Sequence, residues 1–212
     1  MAGRRNRESF AERRARKAEV DDPNLVLDAA LRFLEARQRS IAEVRRRLTT
    51  AGYREDLVSG AIDRLSELGM LDDDAFAASW VESRDRARPR GERALRAELA
   101  QRGVDRAVIQ VALAGRGERP VDERPIDDPA GSANDLNAER SSPDESAAER
   151  LLLKRGAALM RIADPRERRQ RAYALLARNG FDPGTASEVA RRWTQLLANH
   201  PDDGDSDLES GA

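Results

Sequence analysis

The chain of 212 residues contains no cysteine and a single histidine, and only 4% of its residues are aromatic. Without thiols it has no disulfide scaffold, no thiolate zinc site and no cysteine nucleophile, which fits a reducing interior. The one imidazole, His200, borders an acidic segment and has no catalytic constellation around it. Long apolar runs are missing as well. No stretch approaches the ~18 consecutive apolar residues of a bilayer-spanning helix, and the N-terminus lacks the apolar core of a secretory signal. A phosphate loop of the G-x-x-x-x-G-K type is also absent. These absences point away from an enzyme and from a membrane, and neither a cofactor nor a metal is expected.

What the chain has in abundance is charge, 36% of its residues, in near balance at a net −1. The balance is an average over unlike segments. The net charge is +4 over residues 1–19, −1 over 20–114, −6 over 115–149, +7 over 150–200 and −5 over 201–212. Lys17 and Lys154 are the only lysines, so the basic groups are almost all guanidinium, a planar fork suited to carboxylate and phosphate.

Apolar residues recur at helical spacing, as in Leu27, Ala30, Leu31 and Leu34, or Leu57, Val58, Ala61, Ile62, Leu65 and Leu68. Nothing alternates long enough to suggest a strand. Asp22-Pro23, Ser142-Pro143, Asp164-Pro165 and Asp182-Pro183 each set a capping acceptor before a proline at the first helical position. Ser40 with Glu43, Ser142 with Glu145 and Asp164 with Glu167 have capping-box spacing. Gly52, Gly69, Gly103 and Gly180 stand where a left-handed residue would end a helix.

Three of those glycines expose an internal repeat. Leu48 to Tyr53, Leu99 to Val104 and Leu176 to Phe181 share the pattern leucine, three residues, glycine, apolar residue. The fold expected is all-α, tandem three-helix repeats forming an elongated curved array. Its helices would cover roughly 23–38, 40–51 and 54–68; then 73–87, 91–102 and 105–113; then 143–161, 165–179 and 183–198. The corresponding domains are a basic flexible segment at 1–22 and repeats at 23–69, 70–114 and 143–199. A proline-rich acidic linker at 115–142 and an acidic tail at 200–212 read as disordered.

Four groups of residues are candidates for function. Asp72, Asp73 and Asp74 read as the acidic start of a helix instead of a metal site, because consecutive side chains diverge. Phe76, Trp80 and Val81, and Val189, Trp193 and Thr194 with Leu196 nearby, read as core. Arg84, Arg86, Arg88, Arg90, Arg93 and Arg96 span a helix end, a turn and the next helix start, opposed only by Asp85 and Glu92. Exposed at a turn, they could meet an acidic protein surface or phosphate. Arg166, Arg168 and Arg169, with Arg171, form a second basic patch.

The segment Gly69-Met70-Leu71-Asp72-Asp73-Asp74-Ala75-Phe76-Ala77 resembles the G-x-L-D-D-x-x-F-A signature of the RecX regulatory proteins. Arg84, Gly91, Leu95, Glu98-Leu99, Gly103-Val104 and Ala112-Leu113 continue that family's pattern, and residues 29–48 are similar to its first repeat. The resemblance implies tandem three-helix repeats. It also implies a non-enzymatic cytoplasmic monomer that binds the RecA filament on single-stranded DNA. Binding would restrain recombinase, ATPase and coprotease activity, and so affect DNA repair, recombination and the SOS response. The alternative from the residues alone is a helical DNA-binding protein acting directly on nucleic acid through its basic faces.

Overall fold

The computed structural model describes residues 9–116 and 142–199, and all regular structure in them is helical. Leading the chain is α1 (Phe10–Ala18). The first triplet is α2 (Pro23–Leu34), α3 (Ile41–Ala51) and α4 (Glu55–Glu67), and the second is α5 (Asp73–Ala87), α6 (Glu92–Gln101) and α7 (Arg106–Ala114). The third comprises α8 (Pro143–Arg155) with a short continuation α9 (Ala157–Met160), then α10 (Pro165–Arg178) and α11 (Pro183–Asn199). Most of the linker expected at 115–142, the tail at 200–212 with His200, and residues 1–8 lie outside the described residues.

The described residues fall into two compact units. One holds the residues up to Trp80 together with Glu98–Ala114, and the other holds Val81–Ala97 together with the residues from Gly115 on. Helices α5 and α6 therefore contribute to both. In the first unit Val26, Ala30, Val44, Leu48, Val58, Ile62 and Leu65 interleave between α2, α3 and α4; of the faces read from helical spacing, Ala30, Val58, Ala61, Ile62 and Leu65 are buried, Leu27, Leu31, Leu34 and Leu57 are partly buried, and Leu68 is exposed. In the second, Ala147, Leu151 and Leu152 of α8 meet Leu176 of α10, Phe181, and Val189 of α11.

All four proline starts are capped: Asp22, Ser142, Asp164 and Asp182 accept backbone N–H bonds from within their first turns. All four predicted left-handed glycines have φ between 67 and 108°. Of the expected capping boxes, only Ser40–Glu43 closes reciprocally. Glu145 turns instead to Arg192, 3.1 Å away, and Glu167 to Arg171 at 3.3 Å, because a guanidinium within reach outcompetes one backbone amide.

Three expectations shift. The basic arm at 1–22 contains a helix, α1, held by a Ser9–Glu12 capping box and by Lys17, which donates to the Tyr53 hydroxyl and sits 4.1 Å from its ring centre. The helix expected to run to 38 stops at Leu34, and Arg37 folds back onto Glu43 (3.1 and 3.3 Å) and the Gln38 carbonyl (2.9 Å). The helix expected over 143–161 breaks at Gly156, where a Cβ would stand 2.8 Å from the Trp193 ring. Of the two apolar stripes, Phe76, Val81, Val189 and Thr194 are buried and Trp80 and Trp193 half-buried, whereas Leu196 is exposed.

The first two triplets each grip the next by three contacts of similar kind. In the first unit the Ser40 hydroxyl donates to the Arg102 carbonyl (2.6 Å), the Ile41 amide donates to Asp73 (2.9 Å), and Ala42 lies against Gly103. In the second unit the Gly91 amide donates to the Asn179 carbonyl (3.0 Å), the Glu92 amide donates to Asp144 (2.9 Å), and Ala94 lies against Gly180. A second-helix start thus seats both the carboxylate that opens the next triplet and its glycine corner. At both corners a positive φ and the lack of room for a Cβ require glycine. Among the described residues no triplet precedes the first corner, Gly52, and Arg14 of α1 covers it. Helix α1 does for the first triplet what a capping segment does for a solenoid.

Candidate partner-binding surface

The aspartate run resolves into separate tasks. Asp72 caps α5, accepting from Asp74 N (2.8 Å) and Ala75 N (3.1 Å), as the sequence predicts. Asp73 reaches the Ile41 amide, a role no local pattern announces. Burial raises its carboxyl above the ordinary range; the Ile41 amide opposes the shift, while Asp72, Asp74 and Glu43 add to it. Among the described residues no three His, Cys, Asp or Glu side chains are grouped as a metal would need.

The arginines of the stretch Arg84–Arg96 differ in their surroundings. Arg86 pairs with Glu82 one turn back, and Arg96 pairs with Glu92 at 2.5 Å. Arg90 donates to the Asn179 side chain (2.9 Å), and Arg84 is half-buried and not free. Arg88 and Arg93 are exposed and hold no hydrogen bond or ion pair with a described side chain. Arg93 does lie close enough to Asp182 to help keep that carboxyl low, behind hydrogen bonds from Thr185 and Gly184.

The second patch divides in the same way. Arg168 is a brace, donating from Nε (3.0 Å) and Nη2 (2.7 Å) to the Ile162 carbonyl and so fixing the turn before α10. Arg171 pairs with Glu167. Arg166 and Arg169 are exposed without a carboxylate partner among the described residues. With Gln170, Tyr173, and Ser187 and Ala190 of α11, they line an open groove between α10 and α11. Arg166, Arg169 and Tyr173 stand at i, i+3 and i+7, which puts them on one face.

The dominant electrostatic feature is a residue that the sequence places in the linker. Arg116 has a side chain only 3% exposed. It donates from Nε (2.8 Å) and Nη2 (2.6 Å) to Asp85, from Nη1 to Asp144 (2.5 Å), and from Nη2 to the Arg90 carbonyl (2.7 Å). Burial works against its charge, but Asp85 and Asp144 outweigh that and raise its pKa. Burial raises the Asp144 carboxyl, with Arg116 opposing the shift. This guanidinium ties the end of α5, the α5–α6 turn and the start of α8 into one node. In sequence it sits in Gly115-Arg116-Gly117, where nothing distinguishes it from a solvated linker arginine.

Models of the first and second three-helix domains of RecX match residues 27–65 and 72–113. A regulatory protein RecX from Mycolicibacterium vanbaalenii is 34% identical over 175 residues, covering 80% of either chain. The chain belongs to the RecX family. A second RecX, from Mycobacterium sp. strain JLS, is 38% identical over 159 residues, covering 75% of this chain and 76% of its own. The crystal structure of RecX from Lactobacillus salivarius shares the fold with a TM-score of 0.62 at 19% identity, covering 83% of this chain and 98% of that one. The RecX relatives are named as regulatory proteins, and among the described residues no helix is long and apolar enough to cross a membrane.

Proposed function

We propose that this RecX-family chain acts by binding, not by chemistry: it seats on the RecA filament formed on single-stranded DNA and restrains ATP turnover, strand exchange and coprotease activity. This reading places it in the cytoplasm, as a monomer, in the control of DNA repair, recombination and the SOS response. The observation that carries it is the similarity to regulatory RecX proteins over three quarters or more of both chains.

The arginines offered to the partner are those the fold leaves unpaired. Arg88, Arg93, Arg166 and Arg169 are the contacts, whereas Arg86, Arg90, Arg96 and Arg168 serve the fold and Arg84 is engaged. Successive triplets let one chain touch several filament subunits, so binding is avid on polymer and weak on free RecA. The test adds the protein to preformed RecA filaments and follows ATP hydrolysis and strand exchange. Inhibition is expected near stoichiometric protein, and unchanged rates would sink the reading. Charge reversal of Arg88 and Arg93 should weaken inhibition with helix content intact. A protein that acted directly on nucleic acid would instead lose its effect in step with naked-DNA binding as salt rises.

A further inference from the structure

The groove between α10 and α11 occupies a telling register. With the three leucine–glycine corners aligned, Arg169 falls on Ile41 and Glu92, the residues whose amides receive Asp73 and Asp144 in the two inner grips. Gln170 falls on Ala42, which packs on a glycine corner. The third triplet has no successor among the described residues, so this face is open. Helix α10 also begins at Pro165, four positions ahead of Arg169, which places the Arg169 amide inside the helix. The position that elsewhere offers an amide to a carboxylate here offers guanidinium groups: Arg169 and, one turn earlier, Arg166.

We infer that this groove is a carboxylate-binding surface, and that in the isolated chain its occupant is the chain's own acidic segment 201–212. Charge and reach both favour that occupant. Asp202, Asp203, Asp205, Asp207 and Glu209 lie in the segment with no basic residue among them. The lining residues Ala190 and Ser187 precede the end of α11 at Asn199 by nine and twelve positions, about 14–18 Å along the helix. Twelve extended residues span ~40 Å, more than enough to fold back over that length. The carboxylates bordering the groove are already committed, Glu167 to Arg171 and Glu188 to Arg191. Segment 201–212 thus masks Arg166 and Arg169 until a more highly charged surface displaces it. The inference does not depend on the identity of that surface.

The experiment needs only this chain. Amide NMR shifts are compared between the full chain and a variant lacking 201–212, and a synthetic peptide of 201–212 is then titrated into the truncated chain. Removing the segment should move the Arg169, Gln170, Tyr173 and Ser187 amides and leave those of α2–α4 in place. The peptide should reverse these shifts, bind at least tenfold more weakly to the double variant R166E/R169E, and be released by 0.5 M salt (roughly a 4 Å screening length). Unmoved groove amides on truncation would overturn the proposal, as would equal peptide affinity for the double variant. Groove shifts in the truncated chain that depend on protein concentration would also overturn it, in favour of a second copy. Should the double variant lose helix by circular dichroism, the truncation comparison decides alone. RecA is absent throughout, so failure here and failure of the RecA reading are separable.

Discussion

The two grips between successive triplets have the same plan and differ in how they are held. The first uses a hydroxyl, Ser40, and an aspartate, Asp73, that no guanidinium meets. The second replaces the hydroxyl with the bare backbone of Gly91 and adds Arg116, a buried cation bonded to two carboxylates and a carbonyl. The first is therefore a set of ordinary hydrogen bonds, each worth about 1 kcal/mol net. The second is an ionic node whose strength depends on keeping every partner in place. Pairing buried charges adds little net stability over an apolar equivalent, yet removing one member leaves the others stranded.

The contrast can be broken most severely at Arg116. R116A should cost about 3–5 kcal/mol, seen as a lower denaturant midpoint, because Asp144 would be left mostly buried without that cation and Asp85 would keep only Arg150, 3.8 Å away. Gly91 ranks next. A Cβ there would overlap the backbone of Gly180 and Phe181, so G91S should destabilise by about 2–4 kcal/mol, although serine fills the matching position, Ser40, in the first grip. The reciprocal change, S40G, should cost about 1–2 kcal/mol: the Ser40 hydroxyl loses its bond to the Arg102 carbonyl and the one it accepts from the Glu43 amide, although glycine is itself a tolerated helix cap. A thermal melt that ranked S40G above G91S would refute the distinction.

Asp73 carries the smallest effect and the sharpest sign. Its carboxyl is raised in the folded chain, so the folded state holds the proton more tightly than the unfolded state. Its ionisation therefore costs stability as pH rises through the carboxylate range. D73N, which keeps an oxygen for the Ile41 amide, should be neutral or slightly stabilising at pH 7, and the advantage should vanish in acid. D73A should lose about 1 kcal/mol. Denaturant melts of the three proteins at several pH values read this directly.

Helices, caps and glycine corners were legible in the sequence because each depends on residues a few positions apart. The Leu48, Leu99 and Leu176 corners, the proline starts and the left-handed glycines all follow from local chemistry. The grips were not legible, because Ser40 and Arg102, or Glu92 and Asp144, meet across 62 and 52 positions. The arginines misled for a related reason. A guanidinium reads alike whether it is solvated like Arg88, paired to a helix neighbour like Arg86, or buried like Arg116. The structure separates those fates: within the run of six, Arg86 and Arg96 hold ion pairs, Arg90 bonds Asn179, and Arg88 and Arg93 are exposed with no bond to a described side chain. One further local signal lies in the sequence, Ser9-x-x-Glu12, the box that starts α1.

The pairing of Arg116 with Asp144 has a consequence for how this chain tolerates change. The described residues that flank 117–141 are held together by their own side chains, Arg116 on one side bonding Asp144, two residues into the other, at 2.5 Å. A segment tethered at one point can lengthen cheaply, since doubling a loop adds only ~0.6 kcal/mol of closure entropy. A reporter domain spliced between 117 and 141 should leave the melting behaviour of the helices almost untouched, whereas the same insert one residue earlier, ahead of Arg116, should not.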